Sequence, residues 1–178
     1  MTTPRRLASL VLAGIVAGAA TPRPAAAQLQ ADDLRSKTIN VSGSGVDYLD
    51  TAIVHSQEST PTGMIQRSTE SVDLHGDLEG RVLYHVTSVF DFVHGTLVNT
   101  GEQVFSGTVA GSAPALIHDD QFRFEVNLAT GEERGQVYLL DSLAGPKVRC
   151  TLEVVGTGLN AAGNPTFDYK GACVFRGL

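Results

Sequence analysis

From residue 63 onward, apolar and polar residues alternate, and glycine-bearing segments interrupt the alternation at short intervals. Period two is the mark of strands with one buried face, because successive side chains point to opposite sides. In QFRFEVNL, Phe122, Phe124, Val126 and Leu128 fall on one face and Arg123, Glu125 and Asn127 on the other. In RVLYHVTSVFDF the even positions Val82, Tyr84, Val86, Phe90 and Phe92 form the apolar set, opposed by Arg81, His85, Thr87 and Asp91. Interruptions at Gly76 to Gly80, Gly95, Gly101, Gly111, Gly131, Gly145 and Gly156 to Gly163 read as breaks between strands. VLYHV, VFSGTVAG, FRFEVNL, GQVYLL, VRCTLEVV and FDYKGACVF are the strongest strands. MIQRSTESVDL, and TINVS with YLDTAIV across a break at Gly43-Ser44-Gly45, bring the number to about eight.

No window carries the i, i+3, i+4 apolar spacing of an amphipathic helix, so the pattern predicts an all-β protein. Antiparallel strands joined mainly in sequence must bury their apolar faces by closing into a barrel or folding into a sandwich. Nineteen glycines favour the barrel, where bends and tight corners need them. A Greek-key sandwich is the alternative, although the absence of tryptophan removes one hallmark of an immunoglobulin domain.

The last two strands form a hairpin from Val148 to Phe175 that holds both cysteines. Its expected register sets Cys150 against Cys173, Leu152 against Gly171, Val154 against Tyr169 and Gly156 against Phe167, all on one face. The intervening GTGLNAAGNP is rich in residues that tolerate positive φ or block a strand.

Composition and the N terminus supply the compartment. Arg5 and Arg6 precede an apolar run, Leu7 to Ala20, and Ala25-Ala26-Ala27 offers a cleavage site, the layout of a secretory signal peptide over residues 1–27. The run is short of the roughly 20 residues a membrane span needs. No cysteine follows the small residues, which argues against a lipid anchor. Residues 28–37 read as a flexible arm and 38–178 as one β-barrel domain, in a secreted or periplasmic protein. Loss of Arg5, Arg6 and Arg23 would take the formal charge from −6 to −9. So acidic a surface disfavours nucleic acid and anionic lipid as partners. In an oxidising compartment the Cys150 and Cys173 pair reads as a disulfide, with a free buried pair as the alternative.

Gly76-Asp77-Leu78-Glu79-Gly80, then VFSGTVAG, FRFEV, CTLEVVGTG and FDYKGAC, resemble small secreted bacterial β-barrels of the allene-oxide-cyclase-like class. Plant dirigent proteins are similar in outline. The resemblance covers roughly residues 62 to 177 and rests on turns and strands. It implies an eight-stranded barrel with a mainly apolar interior that binds or cyclises hydrophobic small molecules, often as a homo-oligomer. No catalytic motif of either group matches position by position.

Catalytic motifs are otherwise missing. No G-x-S-x-G elbow is present, and the GTG at 156–158 lies in a hairpin rather than at a strand-to-helix turn. His55, His75, His85, His94 and His118 are scattered without ligand spacing, so neither a metal nor another cofactor is expected. His118-Asp119-Asp120 is the nearest approach to a cluster and reads as a solvated loop. Glu70 is the one weak catalytic candidate. It shares its parity with Met64, Val72 and Leu74, so it is either a carboxylate inside an apolar cavity or, if a bulge breaks the parity, a solvent-facing edge residue. Tyr84, Phe90, Phe122, Phe124, Tyr138 and Tyr169 are the residues expected to line the interior, the tyrosines with hydroxyls in reach of a partner. His85 is expected outside. Three functions fit: a barrel binding a hydrophobic small molecule, a cofactor-free isomerase or cyclase of the same shape, and a packed barrel that is structural or binds a partner on its outer face.

Overall fold

The computed structural model describes residues 36–177. The signal peptide over 1–27 and all but the last two residues of the arm lie outside the described residues. Ten strands follow in order. They are β1 (Lys37–Asp47), β2 (Ile53–Thr60), β3 (Gly63–Gly76), β4 (Leu78–Asp91), β5 (Thr96–Val109), β6 (Ala115–Asn127), β7 (Glu133–Leu139), β8 (Asp141–Ala144), β9 (Val148–Leu159) and β10 (Pro165–Phe175). Every pairing is antiparallel, in the order β1-β10-β9-β7-β6-β5-β4-β3. β1 then pairs with β3, Gly43–Asp47 against Val72–Gly76, and closes eight strands into a barrel. Closure removes the sheet edges that an open sandwich would have to protect.

The two remaining strands extend existing partners. A 3-10 turn at Leu49–Thr51 interrupts the chain after β1, and β2 resumes against the first half of β3. β8 continues beyond β7 along β6. At that second break Asp119 replaces the missing ladder bonds: it is fully buried, its Oδ2 accepts from the Tyr138 backbone N–H and from Gln103 Nε2, both at 2.8 Å, and its Oδ1 accepts from the Gln121 N–H at 2.7 Å. His118-Asp119-Asp120 is therefore part of a strand at a bulge and not the loop its polarity suggests.

Gly43-Ser44-Gly45 does not break β1. Both glycines face inward beneath aromatic rings of β10, Gly43 opposite Tyr169 and Gly45 opposite Phe167. A Cβ at Gly45 would lie 2.2 Å from Phe167 Cζ, so the absent side chain is what lets the ring stand over the strand. Gly80 and Gly101 also lie within strands rather than in turns. The β9–β10 register is the expected one, with Cys150 opposite Cys173 joined as a disulfide. Phe92 and Leu128 depart from the core sets assigned to them: both sit just past the ends of their strands and are exposed, where alternation no longer dictates burial.

Around the disulfide the barrel is solid. Leu78, Phe105, Val109, Ile117, Leu139 and Val148 are fully buried with Cys150 and Cys173. The β3–β4 turn is latched over this end by Tyr169, whose hydroxyl accepts from the Leu78 N–H at 2.7 Å and lies 3.2 Å from the Leu78 carbonyl. Asp77 ties the same turn to β1 by accepting from the Ser42 N–H at 2.8 Å. These contacts give the Gly-Asp-Leu-Glu-Gly segment a structural use.

Candidate functional site

Above the packed layer the interior opens into a cavity of about 70 Å³. Its apolar wall comes from inward positions of β3, β4, β7 and β9: Val72, Leu74, Val82, Val137, Leu152 and Val154. Phe122, Phe124, Phe167 and Tyr169 add aromatic surface. Tyr84 stands edge-on to Phe122, the ring centres 5.8 Å apart, and Phe122 tilts against Phe124 at 5.9 Å. Gly135 makes room for Phe124, since a Cβ there would come within 2.1 Å of the ring.

The polar lining lies toward one end of the barrel, on three strands spread around the ring. Asp47 ends β1, Glu133 begins β7, and Asn99 lies on β5; all three are half-buried. Tyr84 Oη is 2.7 Å from Asp47 Oδ2 and 2.6 Å from Glu70 Oε2. Glu70 is only 7% exposed, and its other oxygen accepts from the Ser68 hydroxyl. A phenol has one proton to donate, so two carboxyl oxygens at these distances require a second proton in the group. Asp47 is placed to hold it: burial, opposed in part by the Tyr84 hydrogen bond and reinforced by the charges of Glu70 and Glu133, pushes its pKa up to about 7. Burial also raises Glu133, and burial with the two neighbouring acids raises the Tyr84 phenol. The result is two carboxyl groups bridged by a phenol, with Asp47 able to release or accept a proton near neutral pH.

Among the described residues, two oxygens in this region are buried without a hydrogen-bond partner, Asp47 Oδ1 and Asn99 Oδ1. Buried polar atoms are nearly always paired, which makes these the atoms most in need of a ligand. Gln103, also in the wall, is already engaged with Asp119.

Of the residues expected to line the interior, Tyr84, Phe122, Phe124 and Tyr169 do so. The Tyr169 hydroxyl is turned away to the β3–β4 latch. Phe90 keeps its inward parity but lies outside the cavity wall, with its ring 6.0 Å from Phe92. Tyr138 is a correction: Val137 and Leu139 point inward, so Tyr138 faces out, its hydroxyl on Gln136. GQVYLL is apolar on both parities, which left its inward face undefined by pattern. Glu70 is inside, and the bulge that would have turned it to water is absent from the β3–β4 register. His85 is on the outer face, bonded to Thr69 at 2.7 Å.

Asp47, Asn99 and Glu133 were missed by sequence reasoning. Glu133 shares its parity with Val137 and Leu139, a signal available in principle. Asp47 shares its parity with Val41 only if β1 is carried through both glycines. Among the described residues no group of three or more His, Cys, Asp or Glu side chains is arranged to hold a metal ion. Comparison with known proteins adds nothing to this geometry: no family model, curated protein or solved structure matches the chain.

Proposed function

We propose that the protein is an exported binding barrel that admits a small, mainly apolar molecule carrying a hydrogen-bond donor. The observation that carries this reading is the pair of unpartnered buried acceptors, Asp47 Oδ1 and Asn99 Oδ1, beside an otherwise apolar and aromatic wall. Size narrows the hydrophobic ligand expected from sequence. At roughly 15 Å³ per water-sized group, a cavity of about 70 Å³ takes on the order of five non-hydrogen atoms. A longer ligand would leave its remainder at the mouth, beside half-buried Phe124 and Phe167. Export is supported by the N-terminal pattern and by the disulfide, and no helix among the described residues is long and apolar enough to cross a membrane. Membership of the allene-oxide-cyclase-like class belongs to the same reading, supported at the level of the closed eight-stranded ring.

The test is an NMR titration with small alcohols of four to six heavy atoms, a range taken from that volume. Saturable shifts confined to the amides of Tyr84, Asn99 and Phe122 are expected, with the packed layer silent. Weak shifts spread over the surface would overturn the reading.

A cofactor-free isomerase or cyclase is the second reading, favoured by the proton held between Asp47 and Tyr84 in contact with a substrate-sized space. An Asp47→Asn protein that still bound a substrate but no longer converted it would support the enzyme. A substrate recovered unchanged from the unmodified protein after long incubation counts against it.

A further inference from the structure

The polar end of the cavity has a sign. Its ionisable lining consists of Asp47, Glu133 and the phenols of Tyr84 and Tyr169, with Glu70 directly behind Tyr84, and among the described residues it contains no Lys, Arg or His. An anion entering here would meet two carboxyl groups in the wall and a third behind Tyr84, with no compensating base among the described residues. The unpartnered atoms have a polarity as well. An amide can exchange its two ends, but a carboxyl oxygen has no such freedom, so Asp47 Oδ1 asks for a donor. Glu133 is near enough for its charge to act on Asp47. Aromatic faces beside the acids add a surface that attracts cations.

We propose that the cavity selects a small organic cation, an alkylammonium whose N–H groups fill the acceptor positions of Asp47, Asn99 and Glu133 while its alkyl chain lies against Phe122, Phe124 and Val82. The inference rests on the cavity being a binding site and adds the charge of the ligand. An ammonium has three donors to offer, matching three acceptor groups on three different strands. Desolvating the cation is offset because the acids, now without a counter-charge, regain one. The acids facing the ligand, Asp47 from β1 and Glu133 from β7, act with Tyr84 from β4 and Tyr169 from β10, and Glu70 from β3 acts through the Tyr84 hydroxyl. Binding is therefore linked to proton release from this group, and affinity for the cation rises with pH through neutrality.

The probes are isobutylamine, isobutanol and isobutyrate, matched in shape and different in charge, titrated into the purified protein by NMR and calorimetry at pH 5.5 and pH 8. At pH 8 the amine is expected to bind about tenfold more tightly than the alcohol, and the carboxylate not at all. Between the two pH values the amine should gain about tenfold and the alcohol should not change. Asp47→Asn and Glu133→Gln should each weaken amine binding at pH 8 several-fold more than alcohol binding, and Glu153→Gln, which breaks an outer-face ion pair with Lys170, should change neither. Using two acidic variants keeps the test alive if one fails to fold. Equal or tighter binding of the alcohol, or any specific binding of isobutyrate, overturns the cation assignment and leaves the cavity reading intact. Binding of none of the three overturns both.

Discussion

The eight barrel strands run through two regions whose contents have little in common. Around the disulfide, Leu78, Phe105, Val109, Ile117 and Val148 are fully buried, and the Tyr169 hydroxyl is committed to a backbone latch. Towards the end where β1 stops, the same inward positions carry Asp47, Asn99 and Glu133, and a cavity remains. A packed apolar layer gains transfer free energy from every methylene. A half-empty layer holding carboxyl groups forgoes that gain and adds a desolvation cost. The difference teaches that burial at the disulfide end offsets the cost of a cavity and buried carboxyl groups at the other.

Four measurements would sharpen or break this contrast. The largest effect is expected from Phe105→Ala, which opens the fully buried layer and should cost about 3–5 kcal/mol in chemical denaturation. Phe124→Ala, at the half-buried cavity wall, should cost roughly 1–2 kcal/mol. Similar losses at both sites would remove the distinction between the regions.

Removing the disulfide by changing Cys150 and Cys173 together to alanine releases a closure between positions 23 apart and should cost about 3 kcal/mol. NMR shifts at Asn99 and Tyr84 should stay unchanged. Altered cavity shifts would show that the two regions are coupled.

The third measurement uses pH. Folded Asp47 keeps its proton up to about pH 7, against 3.8 for the ordinary group, so between these values the native state binds more protons than the unfolded one. Stability from this group is full below the lower value and is lost as pH rises through the higher one. Asp47→Asn should flatten that decline and stabilise the protein by about 2 kcal/mol at pH 8. A profile equally steep in the variant would place the responsible group elsewhere.

The smallest effects distinguish two tyrosines of opposite orientation. Tyr84→Phe deletes the hydroxyl between two buried acids and should cost about 1 kcal/mol at pH 8, with a changed pH profile. Tyr138→Phe, on the outer surface, should stay within about 0.5 kcal/mol at every pH. Thermal unfolding of both across the pH range is sufficient, and a pH-dependent effect at Tyr138 would contradict the inward and outward assignment.

How legible each part was in sequence follows from what a local pattern can carry. Alternation in QFRFEVNL and RVLYHVTSVFDF places Phe122, Phe124, Val82 and Tyr84 correctly, because the period of a strand acts residue by residue. The cysteine hairpin was readable for the same reason, its register being set by one turn. Gly43-Ser44-Gly45 looked like a break because glycine is usually punctuation. Its use in seating Phe167 depends on a strand more than 100 residues away, and cutting β1 there hid Asp47.

By itself the chain determined an all-β protein with a barrel preferred to a sandwich, its two cysteines in register, an excess of acidic residues and a Glu70 that shares its parity with Val72 and Leu74. Closure of β1 on β3 was decided only in three dimensions, because pairing between distant strands depends on packing and not on period. The same closure brings Asp47 to Tyr84, which already faces Glu70 across β3 and β4, and leaves Asp47 and Asn99 each with an oxygen no other described residue satisfies. Each of these groups is unremarkable in its own segment. The raised pKa values of Asp47 and Tyr84 come from mutual distance and lost water, quantities that exist only in the folded barrel.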